Sequence, residues 1–174
     1  MNAFVDCGFH HGESTLNFQR SRRFREASWK CFAFEADPVL ALAPTLLDTQ
    51  LLHAAIWNQS GLHPFFRATD PEGSTLLPNK STGEFSAPFQ VPTFNFGTWL
   101  LTTFSQADTV IVKMNIEGAE YAVLDSLLAD GSVQRITELW VEFHDVKVGY
   151  TLDDNNLLLE RIRSAGVLAI EARL

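Results

Sequence analysis

Ala3-Phe4-Val5-Asp6-Cys7-Gly8-Phe9-His10-His11-Gly12-Glu13-Ser14 opens the chain, and its order of residue types sets the fold. A short apolar run ends in Asp6, two glycines follow four residues apart, and polar residues suited to a helix start come next. A buried strand, a tight loop and a helix N-terminus are the elements with which α/β proteins hold nucleotide-like ligands. Glycine lets the backbone turn with positive φ and lets a ligand come close to it.

Downstream, strand-like and helix-like segments alternate. A polar, arginine-rich stretch from Ser14 to about Glu26 reads as a helix, and Lys30 to Glu35 as a second strand. Asp37-Pro38 is an N-cap followed by proline at the first helical position, which predicts a helix to about Leu47. Leu51 to Trp57 reads as a third strand. This alternation predicts a parallel sheet with right-handed crossovers. Residues 59–95 break the rhythm with Gly, Pro, Ser and Thr and a turn signal at Asp70-Pro71-Glu72-Gly73, so a hairpin or long loop near the ligand end of the sheet is expected. A short helix follows near Phe96 to Phe104. Thr109 to Met114 is a β-branched run suited to a central strand buried on both faces. Apolar residues at helical spacing from Ala119 to Leu128 end at Gly131, a C-cap position. Leu139 to Phe143 is the next strand, Asp153 or Asp154 caps a helix that stops at Gly166, and Val167 to Ile170 is the last strand.

The 174 residues fit one domain, and 46% apolar content with 14 Phe and 4 Trp is that of a globular core. No apolar run approaches the roughly 18 residues of a membrane span. A net charge of −8 argues against a nucleic-acid partner. Arg20, Arg22, Arg23 and Arg25 read as a solvated helix face. Cys7 and Cys31 lack metal-ligand spacing and look like reduced core thiols of a cytoplasmic protein; no metal site is expected. No secretory leader is visible in the sequence.

Three further stretches carry chemistry. Glu35 closes the second strand, 23 residues after Gly12, where an acid can accept hydrogen bonds from both hydroxyls of a ribose. Asn115, Glu117 and Glu120 follow the central strand, at the carboxyl end of the sheet where open α/β folds bind ligands. Glu120 is most simply a first-turn helix acid. His144 closes the next strand and is a candidate general base. The first loop is D-x-G-x-x-x-G and not the G-x-G-x-x-G of dinucleotide sites. A carboxylate at the strand tip suits a cationic ligand better than a pyrophosphate, and S-adenosylmethionine, with its ammonium and sulfonium, has that electrostatics.

Taken in order, Asp6-Cys7-Gly8 through Gly12, Phe34-Glu35-Ala36-Asp37-Pro38, Ala54-Ala55-Ile56-Trp57-Asn58 and Lys113 through Glu120 resemble successive motifs of FkbM-type S-adenosylmethionine-dependent methyltransferases. The similarity runs from the first strand to Gly166. It implies a Rossmann-like class I methyltransferase fold, a doubly wound, mostly parallel sheet. It implies that Asp6, Gly8 and Gly12 hold the methionine end of the cofactor and Glu35 its ribose, with Ala54 to Asn58 near the adenine. His10, Ser14 and Asn115 complete the expected cofactor set. Asn115 stands where most such proteins carry Asp, which speaks against a divalent ion there. The chain stops after what reads as the sixth strand, so the usual antiparallel seventh is expected to be missing or to come from elsewhere in the sequence.

The sequence thus predicts an S-adenosylmethionine-dependent O-methyltransferase acting on a hydroxyl of a small, carbohydrate-like acceptor, with Glu117, His144 and Asn115 as catalytic candidates. A small-molecule acceptor and, at most, a second copy of the chain are the expected partners. A cofactor-binding module without catalysis and an NAD-dependent oxidoreductase are the alternatives.

Overall fold

The computed structural model describes residues 1–40 and 49–172. Nine strands are described: β1 (Asn2–Cys7), β2 (Trp29–Phe34), β3 (Thr49–Leu52), β4 (Ala55–Trp57), β5 (Gly61–Phe65), β6 (Phe89–Asn95), β7 (Thr109–Met114), β8 (Glu138–Val141) and β9 (Leu168–Glu171). The α-helices are α1 (Glu13–Arg20), α2 (Arg22–Arg25), α3 (Phe96–Thr103), α4 (Glu120–Asp130), α5 (Asp145–Val148) and α6 (Leu152–Ser164).

Six strands form one sheet in the order β3-β2-β1-β7-β8-β9, and every neighbouring pair is parallel. The chain winds outward from β1 to β3, returns to the centre at β7, and winds outward the other way. This is the Rossmann-like, doubly wound α/β arrangement, with its switch point between the carboxyl ends of β1 and β7. Among the described residues the sheet has no antiparallel seventh strand.

Burial explains the order. β1 and β7 lie at the centre, and every residue of each after the first is buried. Phe96 and Leu100 of α3, Leu124 and Leu127 of α4, and Ile162 of α6 pack together on one face. On the other, Phe18 of α1 stacks on Phe4 of β1, ring centroids 4.2 Å apart, and meets Trp29 edge-on. Cys7 and Cys31 are buried within these cores. No helix among the described residues is long and apolar enough to cross a membrane.

Local chemistry moved several boundaries. The expected helix from Ser14 to Glu26 breaks at Ser21, whose extended backbone and side-chain oxygen, accepting from the Phe24 N–H, start α2 afresh. Within it Arg22 pairs with Glu26 and Arg23 with Glu138. The expected third strand splits after Leu52, because the Ala54 N–H turns back to the Leu52 carbonyl at 2.9 Å. Its first half joins the main sheet and its second half becomes β4. The last helix is capped by Thr151, not by Asp153 or Asp154; Asp154 instead completes a capping box. The helix expected from Asp37 to Leu47 lies largely outside the described residues.

Residues 59–95 do form a hairpin. β5 and β6 pair antiparallel, and β4 adds to β6 in a second, three-stranded sheet.

Candidate active site

The parallel register brings the opening loop and the turn after β7 side by side. The Asn115 N–H donates to the Cys7 carbonyl at 3.0 Å, and the Gly8 and Phe9 N–H groups both reach the Phe34 carbonyl of β2. Gly8 has φ +83°, and a Cβ placed on it would sit 1.9 Å from the Asn115 carbonyl oxygen. No side chain fits there. His10 has φ +50° and Gly12 is left-handed at the start of α1.

Over this junction lies a cavity of about 1110 Å³. Gly8, His10, Ser14, Glu35, Ala55, Asn115, Glu117 and His144, all expected from sequence, line it. Asp6, Gly12 and Asn58 do not. Asp6 is fully buried beneath the loop, where Oδ2 accepts from the Thr15 hydroxyl at 2.7 Å and Oδ1 lies 3.0 Å from Lys113 Nζ. The same ammonium donates to the Gly8 carbonyl at 2.8 Å. Asp6 is therefore neutralised from within the protein, which corrects the expectation that its charge faces a cationic ligand.

Glu35 is buried at the cavity wall. Its Oε2 accepts from the His10 N–H at 2.8 Å and its Oε1 from the Asp37 N–H at 2.7 Å. Burial pushes its carboxyl upward, and those two backbone donors partly offset the push. Each oxygen keeps a second acceptor position.

The turn after β7 carries a buried chain of charges. Glu120 is fully buried and accepts from the Ile116 and Gly118 N–H groups, both at 2.8 Å, so it fastens the turn beyond any dipole effect. His144 Nδ1 lies 3.0 Å from Glu120 Oε1 and Nε2 lies 2.8 Å from Glu117 Oε1. Glu117 Oε2 meets Lys80 and lies 3.3 Å from Lys147 Nζ. Burial alone would lower the His144 pKa, but the two carboxylates outweigh it and raise it from 6.5 to about 9. Burial alone would raise Glu117, but hydrogen bonds from His144 and Lys80 bring it from 4.5 to about 2. At neutral pH His144 is an imidazolium that donates from both nitrogens and has no lone pair for a proton. Glu117 has both oxygens occupied by cationic neighbours. These facts correct the expectation of either residue as general base.

A pH dependence follows. His144 is raised above its ordinary value, so its stabilisation is complete below about 6.5 and is lost as pH rises through about 9. Glu117 is lowered, so its share is present above about 4.5 and lost as pH falls through about 2. Both describe one interaction, worth at most roughly 3 kcal/mol. Chemical denaturation should show lower stability at about pH 9 than at about pH 6, and His144→Gln should flatten that slope.

The hairpin region supplies what sequence reading missed. Arg67 binds both oxygens of the buried Asp37, at 2.5 and 2.6 Å, and the Thr75 hydroxyl donates to the Glu117 carbonyl at 2.8 Å. Lys80 is buried, on Glu117 and the Gly73 carbonyl. Turn-rich composition concealed these contacts, although Arg67 and Lys80, two isolated cations in the excursion, were a signal. Glu142 also lines the cavity, where its Oε2 accepts from Asn115 Nδ2 at 3.0 Å.

Comparison with curated proteins and with solved structures gives no significant match. The family model for the methyltransferase FkbM domain matches residues 6–166, a span that runs from the end of β1 to the turn before β9 and contains the cavity wall. The chain therefore belongs to the FkbM methyltransferase family.

Proposed function

We propose that the protein, as one domain, transfers the methyl group of S-adenosylmethionine to a hydroxyl of a small, carbohydrate-like acceptor. The observation that carries this is convergence: the Gly8–His10 loop, Glu35 and the Asn115–Glu117 turn come from three strands and line one cavity at the switch point. Family membership supports methyl transfer itself.

The cavity wall fits the cofactor. Gly8 lets the loop close onto the Asn115 backbone and so shapes the cavity wall, and Glu35 keeps acceptor positions for two ribose hydroxyls. When bound, S-adenosylmethionine supplies an electrophilic methyl group on sulfur. The loop from Gly8 to His10, with Ser14 in the first turn of α1, backs the amino-acid portion. Ala55 and the neighbouring Ile56 give the adenine an apolar wall. Asn58, outside the lining, keeps its carbonyl on Asn95 Nδ2 and acts on strand geometry. Asp6 and Gly12 act from beneath by holding the loop.

The chemistry asked of the chain is mostly orientation and exclusion of water. Asn115 bridges from the turn to Glu142 and orients the acceptor. The imidazolium of His144 and the pinned Glu117 hold the wall rigid. Proton acceptance falls to Glu142, which the Asn115 amide holds at the cavity.

Glu35→Ala should weaken S-adenosylmethionine binding by about 1–3 kcal/mol, the loss of hydrogen bonds to a charged group. Calorimetry checks it, and unchanged affinity would move the ribose elsewhere. Formation of S-adenosylhomocysteine across a panel of sugar acceptors tests catalysis. Cofactor binding with no product across that panel would favour the binding-only module.

A further inference from the structure

Residues 59–95, which cover the cavity, use their charges unevenly. Arg67 and Lys80 both point inward as fasteners, on Asp37 and Glu117. Asp70, Glu72 and Glu84 of the same segment are exposed and line the cavity mouth. The other lysines of the wall are also committed. Lys113 lies 3.0 Å from Asp6, and Lys147 lies 3.3 Å from Glu117. Among the described residues, every lysine lining the cavity has a carboxylate partner, and no arginine lines it. Among the described residues, lining carboxylates outnumber lining cations seven to four, with His144 counted as charged.

We propose that the cavity selects acceptors bearing an amine, such as amino sugars, over acceptors bearing phosphate or carboxylate. The proposal rests on the methyl-transfer reading and names its acceptor class. A phosphate entering here meets no lysine that is not already paired. Lys80 and Lys113 are buried in their pairs, so drawing either toward a phosphate leaves a charge uncompensated, and the more exposed Lys147 must give up its 3.3 Å contact with Glu117. An ammonium meets three acids at the mouth and keeps its hydration there until it docks. Field lines in a cleft with low-dielectric walls are focused, so this excess acts on association as well as on the bound state. Phosphorylated and nucleotide-linked sugars are disfavoured by the same field.

The test uses the protein saturated with S-adenosylhomocysteine and three matched probes: glucosamine, glucose and glucose 6-phosphate. Each is titrated at low and high salt, into the native protein and into a triple variant, Asp70→Asn, Glu72→Gln and Glu84→Gln. These three positions are exposed, and retained S-adenosylhomocysteine binding reports that the variant is folded. Glucosamine is expected to bind at least about tenfold more tightly than glucose 6-phosphate at low salt. The gap should narrow at high salt and shrink several-fold in the triple variant. Glucose 6-phosphate binding as tightly as glucosamine, no difference among the probes, or a gap that ignores salt would overturn the proposal. Failure of the native protein to bind S-adenosylhomocysteine would instead overturn the methyl-transfer reading, so the two failures are distinguishable.

Discussion

Gly8→Ala is expected to abolish cofactor binding and to destabilise the fold by about 3–5 kcal/mol. Two effects add. At φ +83° an L side chain is strained in any surroundings, and here the new methyl would lie 1.9 Å from the Asn115 carbonyl oxygen. That oxygen is backbone, flanked by the Asn115 N–H bond to Cys7 that joins the two halves of the sheet. Neither side can yield without separating the loop from the turn after β7. Gly131→Ala separates the two effects, because Gly131 has φ +77° with nothing near its would-be Cβ. It should lose only about 1 kcal/mol. Denaturation midpoints measure the stabilities and calorimetry the binding. A Gly8→Ala variant no less stable than Gly131→Ala would show that the close approach carries no energy.

Asp6→Ala is expected to destabilise by about 3–5 kcal/mol, because it strands the buried ammonium of Lys113. Asp6 is fully buried and Lys113 nearly so, and the carboxylate also holds the Thr15 hydroxyl at the start of α1. Removing the carboxylate leaves Lys113 with the Gly8 carbonyl and no counter-charge. Asp6→Asn keeps a polar partner for Thr15 and should fall between. The double variant Asp6→Leu with Lys113→Met should recover much of the loss, as buried pairs replaced by apolar side chains often do. Urea denaturation of the four proteins checks this. If Asp6→Ala kept its stability and lost only cofactor affinity, Asp6 would be a direct ligand contact.

The fold was legible where hydrophobic pattern and glycine placement agree. β7 has the bounds its β-branched run implies, and Gly131 ends α4 as a left-handed C-cap. The Asp6–Gly12 loop, Glu35 and the Asn115–Glu120 turn could be paired in advance, because a parallel α/β sheet gathers the carboxyl ends of its strands. What the pattern could not show was direction of gaze. Asp6 and Asn115 both follow apolar runs, yet Asp6 turns beneath the loop onto Lys113 while Asn115 lines the cavity. Nor could it show the partners of His144. Its conversion from candidate base to fixed imidazolium depends on Glu117 and Glu120 lying on either side, and the pinning of Glu117 depends on Lys80 arriving from a segment more than 30 residues away in the chain. Such contacts depend on tertiary geometry and leave no periodicity behind.

Titration calorimetry with S-adenosylmethionine and with NAD tests the central claim most directly. One-to-one, saturable binding of S-adenosylmethionine, weakened in Glu35→Ala and absent in Gly8→Ala, with no binding of NAD, is the expected result. Binding of NAD without S-adenosylmethionine, or S-adenosylmethionine binding that neither substitution alters, would contradict it.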